Sequence, residues 1–163
     1  MTLVGVARSI APVSITYRLC PLSSKRLALI EADTDLVNDL EEGSVPDLLD
    51  LGEDGFYLDA ILLFAGRDKA VRDAVFAQTG RDLAGQGEGI RVHTPERVAE
   101  VHAALAKLPA DTVARHYEDA RKAVPRLPRG PAAVERFASL FERLREVYAK
   151  ASASESGMLT FMV

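Results

Sequence analysis

Four side chains in this chain have the types and surroundings that could do chemistry: His93, Glu96, Asp59 and Tyr57. His93 and Glu96 stand in an H-x-x-E spacing. His93 directly precedes a helix start, where the dipole and the unpaired amides favour an anion. The same spacing arises often by chance, and neither HExxH nor another zinc signature accompanies it. A packing or exposed histidine is therefore the plainer reading. Asp59 is the only charge in FYLDAILLFA. A carboxylate there must face a groove, find a partner, or cost several kcal/mol in desolvation. Its plainer reading is a place on the outer stripe of a helix, or a bond to a helix end or to Arg67. With Tyr57 beside it, these residues would form a site in a cleft near the Gly85–Pro95 turn.

The other chemistry-bearing residues read mostly as structural. Cys20 is the sole cysteine, so an intramolecular disulfide and a cysteine-based zinc cluster are both excluded, and no histidine lies near it in sequence. His102 falls at the margin of an apolar helix face. His116 and Tyr117, adjacent on a helix, point in different directions. Gly85, Gly87 and Gly89 spell G-x-G-x-G, but a β-type segment follows where a dinucleotide fingerprint needs a helix. Arg121, Lys122, Arg126 and Arg129 form a basic connector with no acid among them. It reads as a solvated linker balancing the acidic stretch 39–54, with an anionic ligand or acidic partner as the alternative. No P-loop, nucleophile elbow or Ser/His/Asp pattern occurs. No cofactor and no metal are expected.

The elements that must position these residues follow from periodicity. Val13, Ile15, Tyr17 and Leu19 alternate with polar residues, which predicts a strand ended by Pro21. Ser23 or Ser24 caps a helix carrying Leu27, Leu29 and Ile30 inward, and a second short helix starts at Asp33–Thr34 and ends by Gly43. Residues 43–55 read as a loop with a helical turn at Asp47–Leu51. FYLDAILLFA (56–65) reads as a buried helix, and an amphipathic helix runs from Asp68 or Lys69 to Gln78, closed by Gly80. Ile90–Val92 is β-type. Thr94, Pro95 and Glu96 then spell a helix start, with Val98, Val101, Leu105 and Leu108 on one face. Asp111 caps the next helix. The strongest helix begins near Pro131, with Val134, Phe137, Leu140, Phe141, Leu144, Val147 and Tyr148 inward. MLTFMV (158–163) reads as a terminal strand pairing with Val13–Leu19 or with Ile90–Val92.

The chain of 163 residues suits one domain, 1–163, with residues 1–12 open as an N-terminal extension. The fold class is α+β: mostly helical, with a small sheet of sequence-distant strands that includes the N-terminal and C-terminal ones. A net charge of −4 argues against a dedicated nucleic-acid binder. No targeting segment or membrane-length apolar run is recognisable, so a cytoplasmic protein is expected.

Several landmarks in order resemble the YfbM-like family, bacterial single-domain proteins of unknown function. They are TYRLCPLSSKRLALIEAD, the LDL of Leu49–Leu51, ILLFAG at Ile61–Gly66, GQGEGIRVHTPERV, FERLREVYAKA and the terminal MLTFMV. The resemblance spans Ser14 to Val163 and implies an α+β fold. The family's buried helix usually opens on a Trp-His pair with a second histidine one turn on. Tyr57, Leu58 and Ile61 stand at those places, so the resemblance transfers no catalytic residue. The expected function is that of a non-enzymatic binding or interaction protein that sequesters a partner protein. The alternative is a small-molecule-binding protein or enzyme with its pocket near the Gly85–Pro95 turn.

Overall fold

A computed structural model describes residues 17–40, 45–52, 57, 60, 61, 63, 68–77, 79–83 and 89–162. The expected extension 1–12, the first part of the alternating strand, Gly43, Gly85, Gly87 and Asp59 lie outside them. Five antiparallel strands run in the order β2-β1-β5-β4-β3. They are β1 (Tyr17–Leu22), β2 (Leu49–Asp50), β3 (Arg81–Asp82), β4 (Arg91–His93) and β5 (Gly157–Met162). The terminal strand pairs with both of its expected partners: Cys20 faces Leu159 on one side, and Val92 faces Leu159 on the other. The expected α+β class is what forms, with the sheet built from segments far apart in the chain.

Alternation along the strands splits the core into two layers. Leu19, Leu49 and Met158 pack against α2 (Lys69–Phe76), α3 (Pro95–Ala106), α4 (Ala110–Ala123) and α5 (Pro131–Ala153). Cys20, Val92, Leu159 and Phe161 face the other way, onto α1 (Ser24–Ala32) and the 3₁₀ helix Thr34–Asp39. In α5, Phe137, Leu140, Phe141, Leu144, Val147 and Tyr148 are all buried, each large apolar side chain contributing about 1.5–3 kcal/mol. Gly130 precedes Pro131 with φ 97°, a conformation that glycine adopts without strain.

Several local expectations need correction. The strand does not stop at Pro21 but runs on to Leu22. The Tyr17 carbonyl faces β2, accepting from the Leu51 amide at 2.9 Å. By the alternation of two, Pro21 faces the same way, beyond the end of β2, so its missing N–H removes no ladder bond. Asp47–Leu51 holds the short strand β2 in place of a helical turn. Leu49 is buried there, while Asp50 accepts from Arg18 Nε at 2.9 Å. Leu29 is 54% exposed because α1 buries the Leu27–Ile30 edge, from which Leu29 is turned away. Helix α2 ends at Ala77 in the left-handed region (φ 44°), three residues before Gly80. Pro109, not Asp111, precedes α4, and Asp111 instead pairs with Arg115 one turn on. In the expected buried helix, Ala60, Ile61 and Leu63 are helical. The first two are buried and Leu63 is 46% exposed.

Candidate functional site

At the β3 edge, the sheet ends on a cleft of about 480 Å³, within the range of small-molecule sites. Its apolar lining comes from Leu27, Ala28, Val92 and Pro95, and its polar lining includes Glu31, Thr79, Arg81, His93 and Arg97. The shortness of β3 creates this opening. Arg81 pairs with Val92, and the ladder stops before His93. Gly80 lies where the next rung would be, and a Cβ there would meet the Val92 carbonyl oxygen at 2.9 Å and His93 Cδ2 at 3.1 Å. Glycine allows this close approach. Glu31 of α1 and Arg81 of β3 form an ion pair that joins the two walls.

His93 is the central residue. It is registered against Met158, so its side chain points to the four-helix layer, while the preceding Val92 points to α1. Its exposure is 1%, and neither ring nitrogen has a hydrogen-bond partner. Burial holds the imidazole neutral, with its pKa pushed down to about 4. The Asp73 carboxylate pulls it up and Arg97 pulls it down, which places both charges close to the ring.

Asp73, on α2, organises the surroundings. It is 1% exposed and accepts from the Thr79 amide at 3.1 Å, from the Thr79 hydroxyl, and from Arg97 Nη2 at 2.5 Å. Burial alone would raise its pKa, but these bonds outweigh it and hold the carboxyl below its ordinary range. Arg97 also donates to Glu100 at 2.5 Å, whereas its Nε, buried, has no partner. Thr94 caps α3, accepting from the Arg97 amide at 3.3 Å, which fixes Arg97 one turn beyond His93. Behind this cluster, Tyr148 donates to the Ala74 carbonyl at 3.0 Å, and burial raises its pKa.

Of the four residues singled out from sequence, one lines the cleft. Glu96 is exposed at the start of α3, its pKa lowered by its own backbone amide and by the Thr94 hydroxyl. Tyr57 is also buried in the four-helix layer but does not line the cleft; it packs against Tyr117 and Phe137, at ring distances of 5.7 and 6.0 Å. Asp59 lies outside the described residues. Asp73 and Arg97 were not among the candidates. Asp73 did leave a trace, as an acid between the inward Val71 and Val75, the kind of signal that drew attention to Asp59.

Several of the other groups singled out from the sequence are accounted for by burial or by a partner. The Cys20 thiol is buried in the α1 layer and pushed up to about 12 by burial, which keeps it protonated at neutral pH. His116 Nε2 meets the Ala60 carbonyl at 3.1 Å. Arg121 and Lys122 pair with Glu118 and Asp119 on their own helix. Among the described residues no three His, Cys, Asp or Glu side chains stand close enough to share a metal ion, and no helix is long and apolar enough to cross a membrane.

Comparison with known proteins adds a family and a fold. Residues 24–161 match the profile of a domain of unknown function, DUF1877. The crystal structure of YfbM from Escherichia coli, itself a protein of unknown function, is similar with a TM-score of 0.64 at 16% identity. The similarity covers 91% of this chain and 99% of that one. At that identity the likeness speaks for the fold alone. No curated protein matches the sequence.

Proposed function

We propose that this chain, which belongs to the DUF1877 family, works by binding a small molecule in the cleft between α1 and the β3–β4 edge. The observation that carries the reading is His93, a buried histidine in the wall of that cleft with both ring nitrogens unpartnered. Buried polar groups in folded proteins are satisfied as a rule, and each exception asks for a reason. A ligand that arrives to complete the hydrogen bonds is such a reason. Binding is favoured over catalysis because an imidazole with a pKa of about 4 is a weak base at neutral pH. Asp73, the neighbouring acid, is already occupied by three donated hydrogen bonds.

Sequestering of a protein partner is the second reading, and it draws on the acidic stretch 39–54. Large exposed apolar side chains among the described residues are Leu29 and Leu63, which gives it less support than the cleft gives the first. A bacterial cytoplasmic location belongs to the same proposal, and fractionation of source cells tests it.

A screen of chemically diverse fragments, charged and neutral, followed by protein amide shifts in NMR, tests the cleft. Ligands should move the amides of Gly80, Val92 and His93 together. A screen that moves none of them overturns the small-molecule reading. Native mass spectrometry of protein purified from its source cells tests the second reading, which a retained second polypeptide would favour.

A further inference from the structure

The charges around the cleft are already matched. Arg81 is held by Glu31, and Arg97 by both Asp73 and Glu100. Asp73 in turn is filled by Thr79 and Arg97. An incoming anion would have to compete with three carboxylates for two guanidinium groups. An incoming cation would find Glu31 and Asp73 both engaged. Neither ion meets an uncompensated partner, and desolvating an ion without one is costly.

What remains unmet is a neutral ring and one N–H of a guanidinium whose charge two carboxylates already balance. The neutral imidazole of His93 offers one ring nitrogen as donor and the other as acceptor. Arg97 Nε offers one N–H. These atoms belong to two residues that lie four apart, at the end of β4 and in the first turn of α3, both lining the cleft. Leu27, Ala28, Val92 and Pro95 add an apolar surface beside them. The unpartnered atoms are closed to bulk water, so a group reaching them has to shift the wall. The Glu31–Arg81 bridge, which joins the two walls, can yield readily, since its arginine is largely exposed and such surface pairs are weak.

We propose that the cleft recognises an uncharged carboxamide attached to an apolar or aromatic body. The amide N–H donates to the acceptor nitrogen of His93, and the amide carbonyl accepts from Arg97 Nε. One planar group thereby satisfies an orphaned atom on each of the two residues. The inference rests on the proposed binding role of the cleft and goes beyond it by naming the ligand class.

Three probes of one shape separate the charge states: benzamide (neutral), benzoate (anionic) and benzylamine (cationic), each titrated at pH 7.5 into the full chain. Calorimetry gives the affinities, and the ¹⁵N shifts of the histidine rings report the site. For a probe this small we expect benzamide to bind with a Kd of about 1 mM. Benzoate and benzylamine should bind at least about tenfold more weakly. Benzamide should move the His93 ring resonances, and the His93→Leu chain should lose the binding while keeping its melting transition.

If benzoate or benzylamine binds tighter at the cleft, the amide assignment is overturned and the binding role stands. If benzamide binds equally to His93→Leu, the assignment is also overturned. If no probe binds but the diverse fragment screen finds a cleft ligand, the amide class falls alone. If that screen fails as well, both readings fall together.

Discussion

Replacing His93 by leucine should flatten the acid side of this protein's stability profile. The folded-state pKa of His93 is about 4, against an unperturbed value near 6.5. On acidification the unfolded chain therefore takes up a proton before the folded one does. The full contribution of neutral His93 to stability is present above pH 6.5 and is lost as the pH falls from there toward 4. Between pH 7.5 and pH 5 this histidine alone should remove about 2 kcal/mol. Other titrating groups are common to both chains and cancel in the difference, and above pH 5 the Asp73 carboxyl remains ionised in both. In urea titrations the wild type should lose about 1 M more in midpoint than His93→Leu across that interval. At pH 7.5 the leucine chain should be at least as stable, because two unsatisfied buried nitrogens have been removed. Parallel profiles for the two chains, within about 0.5 kcal/mol, would refute the claim that His93 is held neutral by burial.

Three further outcomes follow from the packing. Asp73→Asn leaves Arg97 without its buried partner and should cost about 2–3 kcal/mol, read as a drop in urea midpoint; an unchanged midpoint would show the cluster to be energetically idle. Gly157→Ala puts a Cβ at 2.6 Å from the His93 carbonyl oxygen and 2.4 Å from Leu27 Cδ1, and should cost about 1–3 kcal/mol with a matching fall in Tm. Tyr117→Phe loses one hydrogen bond, 2.9 Å to the Pro128 carbonyl, and leaves that oxygen unpaired. A loss of about 1 kcal/mol by thermal melt is expected.

Most of the helices were legible in the sequence because their signals are local. Thr94-Pro95-Glu96 writes a cap, a first-turn proline and a dipole partner in three consecutive positions, and the α3 start is found there. The inward face of α5 follows from spacing alone. What escaped was decided across long separations. The two residues of β2 become a strand because β1 offers a free edge and Arg18 a partner for Asp50. Nothing between Asp47 and Leu51 announces that. The site shows the same division. His93 stood out by its place before a helix, but its isolation from hydrogen-bond partners depends on where β3 stops. Asp73 and Arg97 are 24 residues apart and meet only when α2 packs beside α3. Tyr57 drew attention for its neighbourhood in sequence, and tertiary packing placed it among Tyr117 and Phe137 instead.

The position of β5 at the centre of the sheet has a consequence for synthesis on the ribosome. Until residues 157–162 have left the exit tunnel, β1 with β2 and β4 with β3 are two separate ribbons with no strand to join them. Two-stranded ribbons are marginal in water by themselves. Helices α2 to α5 emerge first and carry a large apolar face whose cover on the sheet side does not yet exist. The native sheet therefore cannot close until β5 pairs with a strand roughly 140 residues upstream, a long-range contact that is slow to form. Before that pairing, the open ribbon edges and the uncovered helix face are the surfaces at which crowding of unfinished copies would favour aggregation over the native sheet.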